Sequence, residues 1–197
     1  MRTEVRFAGV GGQGLVKAAV LLAEAAGIHA GLEVVQTQFY GFETEGGPSC
    51  GDVAISDAPI GFPWVDHPDV LVVLAQSALF EHAPFLRPGA RVLADDIHVT
   101  DVSAVPEGVD LFWVPLVRSA DEAGFRKSAN MAALGAYAHL TGVVTYEQME
   151  AAVLEKAPGN PKVNRKALQL GYAAELRPHV FAPGERVAFR PEGFVGV

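Results

Sequence analysis

The spacing of apolar residues changes abruptly along the first quarter of the chain. Arg2 to Ala8 alternates loosely and predicts a strand, whereas Leu15 to Ala26 repeats at helical spacing and stops at Gly27, a helix-end signal. Leu32 to Thr37 is a β-rich run that predicts a second strand. Gln38 to Gly51, QFYGFETEGGPSCG, is polar and glycine-rich and reads as a loop with two aromatics, followed by a short strand over Asp52 to Ser56. DVLVVL, Asp69 to Leu74, is a continuous apolar run of the kind covered on both sides. A helix through Ser77 to Phe85 follows, then strands at Arg91 to Asp96 and Val109 to Leu116. Three helical patterns complete the series, over Ser119 to Leu140, Tyr146 to Lys156 and Pro161 to Leu176. From Arg177 the chain is rich in Pro and Gly and is expected to wrap the surface.

Early strand–helix–strand alternation, with strands too apolar to be half-exposed, predicts an α/β fold with helices on both faces. The specific expectation is a three-layer α/β/α Rossmann-like single domain with a mostly parallel sheet and right-handed crossovers. Residues 1–176 form that domain, and 177–197 form a C-terminal surface tail.

Composition narrows the function classes. The 197 residues are 50% hydrophobic and 19% charged, which excludes a disordered acidic tail. The net charge of −8 argues against nucleic acid or an anionic membrane as partner, since no basic surplus displaces phosphate counterions. The lone cysteine, Cys50, forms no intrachain disulfide and reads as a small buried hydrophobe rather than a nucleophile. No Cys/His cluster has zinc or iron–sulfur spacing, so no metal site is assigned. With neither a signal peptide nor an apolar run long enough to span a bilayer, a cytoplasmic location is expected.

The candidate chemistry centres on GVGGQG, Gly9 to Gly14, lying between the first strand and the first helix. It fits GxGxxG in the right context. Glycines there let the backbone approach a ligand, and bare N–H groups at the helix start suit an anion. A dinucleotide fold would also place an acid at the end of the second strand, but that strand ends in VVQTQ. Three readings follow: a phosphate-bearing ligand other than NAD, an NAD(P)- or FAD-binding domain, or a structural turn in a non-catalytic interaction module.

Other residues carry paired readings. Tyr40 and Phe42 either line a cofactor or partner surface or anchor their own loop, and Glu43 either contacts a ligand or is solvated. Asp95 and Asp96 end a strand, where ligands sit in open α/β sheets, yet a turn or helix cap suits them equally. Asn130 opens an apolar helix and could contact ligand or neighbouring backbone. The six histidines are scattered without ligand spacing, and Lys162, Arg165 and Lys166 read as a solvated basic face.

Taken in order, several stretches resemble the gamma subunit of 2-oxoacid:ferredoxin oxidoreductases. They are GVGGQG with LAEA at Leu22 to Ala25, YGFETEGGPSCGDVAISDAPI from Tyr40 to Ile60, DVLVVL, PGARVLADD, Asn130 with LGA at Leu134 to Ala136, and Asn164 with Gly171. One departure stands out: Glu45 occupies the position before the paired glycines where the family usually has Arg. Either Arg118, Arg126 or Lys127 replaces that charge, or the substrate range differs.

The resemblance implies a non-autonomous oxidoreductase subunit. The complex would decarboxylate a 2-oxoacid oxidatively, form an acyl-coenzyme A and pass electrons to ferredoxin. Coenzyme A would be the co-substrate, and thiamine diphosphate and iron–sulfur clusters would sit on alpha and beta partners, with or without a delta subunit. This chain by itself would hold no cofactor tightly. Its implied role is to bind coenzyme A and close the active site, using Gly9, Gly11, Gly12, Gln13, Gly14, Tyr40, Glu43, Gly46, Gly47 and Asn130. No catalytic residue is assigned, and the identity of the 2-oxoacid is not written in this chain.

Overall fold

The computed structural model describes residues 1–40 and 46–187, with Tyr40 through its backbone alone. The strands are β1 Arg2–Val10, β2 Glu33–Tyr40, β3 Pro48–Ser56, β4 Val70–Val73, β5 Arg91–Asp95, β6 Asp110–Val114 and β7 Arg177–Pro178. The helices are α1 Leu15–Glu24, α2 Gln76–His82, α3 Leu116–Ala123, α4 Ala129–Thr141, α5 Tyr146–Lys156 and α6 Pro161–Tyr172. All the strands lie in one sheet in the order β2-β3-β1-β4-β5-β6-β7.

The α/β class holds, with helices on both faces, but the sheet is mixed. Strands β1, β4, β5 and β6 form a parallel block. The outer pairings β2/β3, β3/β1 and β6/β7 are antiparallel. The expected loop over Gln38 to Gly51 explains the difference. Half of it belongs to the two arms of a hairpin, pairing Gln38 with Gly51 and Tyr40 with Ser49. Its polar side chains hid a strand whose backbone is satisfied by pairing on both sides. Only residues 41–47 connect the arms, a length that makes antiparallel neighbours rather than a crossover.

The helix expected over Ser119 to Leu140 is broken. Gly124, at φ 100°, ends α3, and α4 begins only at Ala129. By contrast, α5 matches its predicted span because Thr145 and Gln148 form a reciprocal capping box.

The two faces are covered unequally. Val5 and Phe7 of β1 point into a large cluster built on α1, α3, α4, α5 and α6. Ala8 points the other way, into a smaller cluster under α2. Arg6 lies on that thinner side too, buried and paired with Asp52 of β3 through two hydrogen bonds of 2.8 and 2.7 Å. Helix α4 is apolar on all sides because it is enclosed, with Tyr137 against Phe7 at 6.0 Å between ring centroids. It crosses α6 through glycines on both helices. A methyl group on Gly171 would lie 2.0 Å from the Ala132 carbonyl oxygen, and one on Gly135 would lie 2.1 Å from that of Leu168.

Candidate functional site

The parallel block sets where a site can form. In open α/β sheets, ligands bind beyond the carboxyl ends of the strands. Here the glycine turn leaves β1 at that edge, with Leu74 just past β4 and His98 past β5. Register adds the hairpin: Val10 pairs with Pro48, so Gly46 and Gly47 arrive beside the same turn. Two glycine-rich motifs some thirty-five positions apart in sequence thus become neighbours.

The four turn glycines have different duties. Gly9 leaves room for Gln13, whose Oε1 would lie 2.1 Å from an added methyl. The Gln13 side chain ties two strand ends together: Oε1 accepts from Val10 N–H at 2.8 Å, and Nε2 donates to the Leu74 carbonyl at 2.8 Å. Gly11 N–H donates to the Gly47 carbonyl at 2.8 Å. Gly12 and Gly14 adopt φ 91° and 73°, in the left-handed region that favours glycine. A methyl on Gly14 would press on Asn130 Nδ2 at 2.6 Å, whereas one on Gly12 would meet nothing within 4 Å.

The protein therefore caps part of the turn and leaves part of it bare. Gly11 and Gln13 N–H groups have internal acceptors. Those of Gly12, Gly14, Leu15, Val16 and Lys17 have none among the described residues, and α1 has no side-chain N-cap. These are the unpaired donors of a helix start.

A cavity of about 400 Å³ opens there. Gly12 and Gln13 form one wall, Leu74, Val117 and Ala129 an apolar floor, and Phe125, Arg126, Lys127 and His98 the remainder. Arg126 is braced by Asp121 at 2.7 Å. Lys127 has no ion-pair or hydrogen-bond partner among the described residues.

Asp95 is structural. Wholly buried, its carboxylate accepts from Ile97 and His98 N–H through Oδ1 and from Val117 N–H at the head of α3 through Oδ2. It also lies 3.3 Å from His98 Nδ1. Asp96 is engaged by Arg118 and Arg177, so Arg118 is directed away from the cavity.

Asn130 does not line the cavity. Its Nδ2 donates to the Gly14 carbonyl at 3.0 Å, so the amide supports the turn from behind. Tyr40 ends β2, opposite Ser49. Phe42, Glu43 and Glu45 lie outside the described residues. Cys50 is buried, and its thiol is pushed up to about 12, chiefly by burial and then by the Asp52 carboxylate, which removes it as a nucleophile. Arg165 of the basic cluster pairs with Glu150, and Asn164 donates to the Pro158 carbonyl. Among the described residues no group of acidic, His and Cys side chains could hold a metal ion, and no helix is long and apolar enough to cross a membrane.

Phe125 and His98 were missed as site residues. A single exposed aromatic has no periodicity to betray it. The signal lay in GFRKSAN, Gly124 to Asn130, where an aromatic and two bases follow a glycine and precede the Asn130 helix.

Residues 4–174 match the family described as pyruvate ferredoxin/flavodoxin oxidoreductase. The chain belongs to that family. Among curated relatives of this oxidoreductase family, 2-oxoglutarate synthase subunit KorC of Methanocaldococcus jannaschii is 40% identical over 174 residues, covering 87% of this chain and 93% of that protein. The gamma subunit of keto/oxoacid ferredoxin oxidoreductase from Geobacter sulfurreducens superposes with a TM-score of 0.77 at 38% identity, covering 89% and 99% of the two chains. The 2-oxoglutarate:ferredoxin oxidoreductase of Magnetococcus marinus, solved with 2-oxoglutarate, coenzyme A and succinyl-CoA bound, gives 0.78 at 26% identity. There the match covers 87% of this chain and 30% of a longer one. The resemblance in the motifs is therefore borne out. The sheet also opposes the dinucleotide alternative, because β3 separates β1 from β2 and removes the parallel neighbour that would carry the ribose-binding acid.

Proposed function

We propose that this chain is the gamma-type subunit of a 2-oxoacid:ferredoxin oxidoreductase and that its glycine-turn cavity receives coenzyme A. The observation that carries this reading is the meeting, in one cavity, of Gly12 with its bare amide and the cations Arg126 and Lys127. Phosphates suit unpaired N–H groups at a helix start, and a local basic wall offsets the chain's net charge of −8. The Magnetococcus marinus relative, bound to coenzyme A, supports the same assignment.

On this reading, Gly9, Gly11, Gln13 and Asn130 hold the turn in shape, and Gly12 and Gly14 present it to the ligand. Gly46 and Gly47, beside the turn, belong to the same site, and Tyr40 and Glu43 are assigned to it from the motif alone. Thiamine diphosphate, held by an alpha or beta partner, would supply the carbanion chemistry of decarboxylation, with iron–sulfur clusters on partners carrying electrons to ferredoxin. The work of this chain is binding, orientation and exclusion of water. Residues 1–176 make most of the functional domain, but the expected tail starts with an edge strand of the same sheet, β7 at Arg177–Pro178, so the domain runs past 176; the complex acts in the cytoplasm.

The test is reconstitution with the alpha and beta partners and 2-oxoacid-dependent reduction of a viologen dye. Omission of this chain abolishes coenzyme A-dependent turnover. Gly12→Asp strains a backbone held at φ 91° but meets no atom within 4 Å, so it leaves assembly intact, which co-purification checks, and raises KM for coenzyme A strongly. Full activity without the chain, or an unchanged KM in the variant, overturns the proposal.

A further inference from the structure

The sheet ends differently on its two sides. On one, β7 is two residues long and contains Pro178, and the chain beyond it turns back, with His179 N–H donating to the Leu111 carbonyl at 2.8 Å. A short strand with a proline offers a newcomer little to pair with. On the other side, β2 is eight residues long and pairs one-to-one with β3 from Glu33 to Tyr40, without a bulge. Its outer side has no strand among the described residues. It carries no proline, lysine or arginine, and its single charge, Glu33, stands at its first position. The usual guards against edge pairing are therefore missing from β2. Gln36 Nε2 donates to the Thr37 carbonyl at 2.7 Å, a bond within the strand that a side-chain rotation releases.

The flanks of this edge are apolar. Val34 faces the helix-covered side of the sheet and Phe39 the thinner side, with Val35 and Thr37 sharing the face of Phe39. Gly27 packs so closely on Val34 that an added methyl would lie 2.9 Å from its Cγ2. That contact sets Ile28, 69% exposed, over the outermost strand.

The residues of β2 suit a second copy of themselves. The midpoint of the strand falls between Gln36 and Thr37, so antiparallel self-pairing centres on one of them. Centred on Gln36, the register sets Val35 opposite Thr37 of the second copy and Glu33 opposite Phe39. The two Glu33 carboxylates then lie at opposite ends of the ribbon, and β-branched side chains meet. A two-fold axis through the join also puts both Ile28 side chains on one face of it, where each gains cover.

We propose that this chain pairs with a second copy of itself through β2, antiparallel and about a two-fold axis, so that two seven-stranded sheets become continuous. The hairpin that borders the glycine turn is then clamped on its outer side by the second copy.

Sedimentation equilibrium tests it, on the full chain and on the complex assembled with alpha and beta partners. In at least one setting the parent should hold two copies of this chain. Gln36→Lys and Gln36→Glu each set like charges across the axis, so each should hold one copy while keeping the circular dichroism of the parent. A one-to-one mixture of the two variants should recover the pair and lose it again at high salt. That recovery cannot come from misfolded protein. One copy of the parent in both settings, or a mixture that fails to recover, overturns the proposal. So does a Gln36→Lys complex that loses an alpha or beta partner instead of its second copy, since β2 then docks a strand of another subunit.

Discussion

Asn130 of α4 donates to the carbonyl of Gly14 at 3.0 Å, joining the glycine turn to a helix 116 positions later. The Gly14 carbonyl also accepts from Ala18 N–H at 3.0 Å, so removing the amide does not orphan it. Asn130→Ala is therefore expected to cost only about 1 kcal/mol, the net worth of one hydrogen bond. That corresponds to a fall of about 2–4 °C in the unfolding midpoint. The larger effect should be a raised KM for coenzyme A, because the turn loses its rear support. Calorimetry of the subunit and kinetics of the complex separate the two.

Asp95→Asn exchanges one acceptor oxygen for an NH2 group among three backbone donors. At least one buried N–H then faces a donor. A loss of about 2 kcal/mol is expected, since an unsatisfied buried group costs about 1–3 kcal/mol. Urea denaturation checks this, and hydrogen exchange should show the head of α3, at Val117, as the place that opens.

Gly171→Ala sets two effects against each other. Helix propensity favours alanine by about 1 kcal/mol. The added methyl, however, would lie 2.0 Å from the Ala132 carbonyl oxygen, a backbone atom that no rotamer change can move. Helices α4 and α6 must part, so net destabilisation of about 1–3 kcal/mol is expected, as for other overpacked contacts. A variant as stable as the parent would show that the crossing is looser than its geometry indicates.

His82 makes the subunit acid-sensitive. Burial, with the nearby Arg6 guanidinium adding to it, lowers its pKa from 6.5 to about 3. Between those values the unfolded chain binds a proton that the folded chain refuses. Stability therefore falls as pH drops from 6.5 towards 3, by up to about 1.4 kcal/mol per pH unit from this group. His82→Leu should flatten that slope. Denaturation curves at pH 7, 6 and 5 for both proteins give the difference, and parallel slopes would refute the assignment.

Legibility of the fold followed local signals. Helix α5 was readable to the residue because its cap, Thr145 with Gln148, is written in sequence. Of the parallel strands, β4, β5 and β6 were readable from their continuous apolar centres and β1 from its loose alternation. The β2–β3 hairpin was not, because Gln38 and Gly51 belong to a strand pair whose stability comes from a tertiary partner, β1. Within the site, the turn announced itself through its glycines. The roles of Gln13 and Asn130 did not, since each depends on a carbonyl that only folding brings near. Phe125 had only a faint local sign, an aromatic and two bases after Gly124, because its position at the cavity depends on the fold.

The bond from Gly11 N–H to the Gly47 carbonyl has a mechanical implication. It carries the β1–β3 ladder one peptide further, from the strand pair into the cradle. A neighbouring protein that grips the hairpin tip would pull directly on that cradle. Docking and ligand capture would then feel each other over one residue's reach, with no need for the domain to bend.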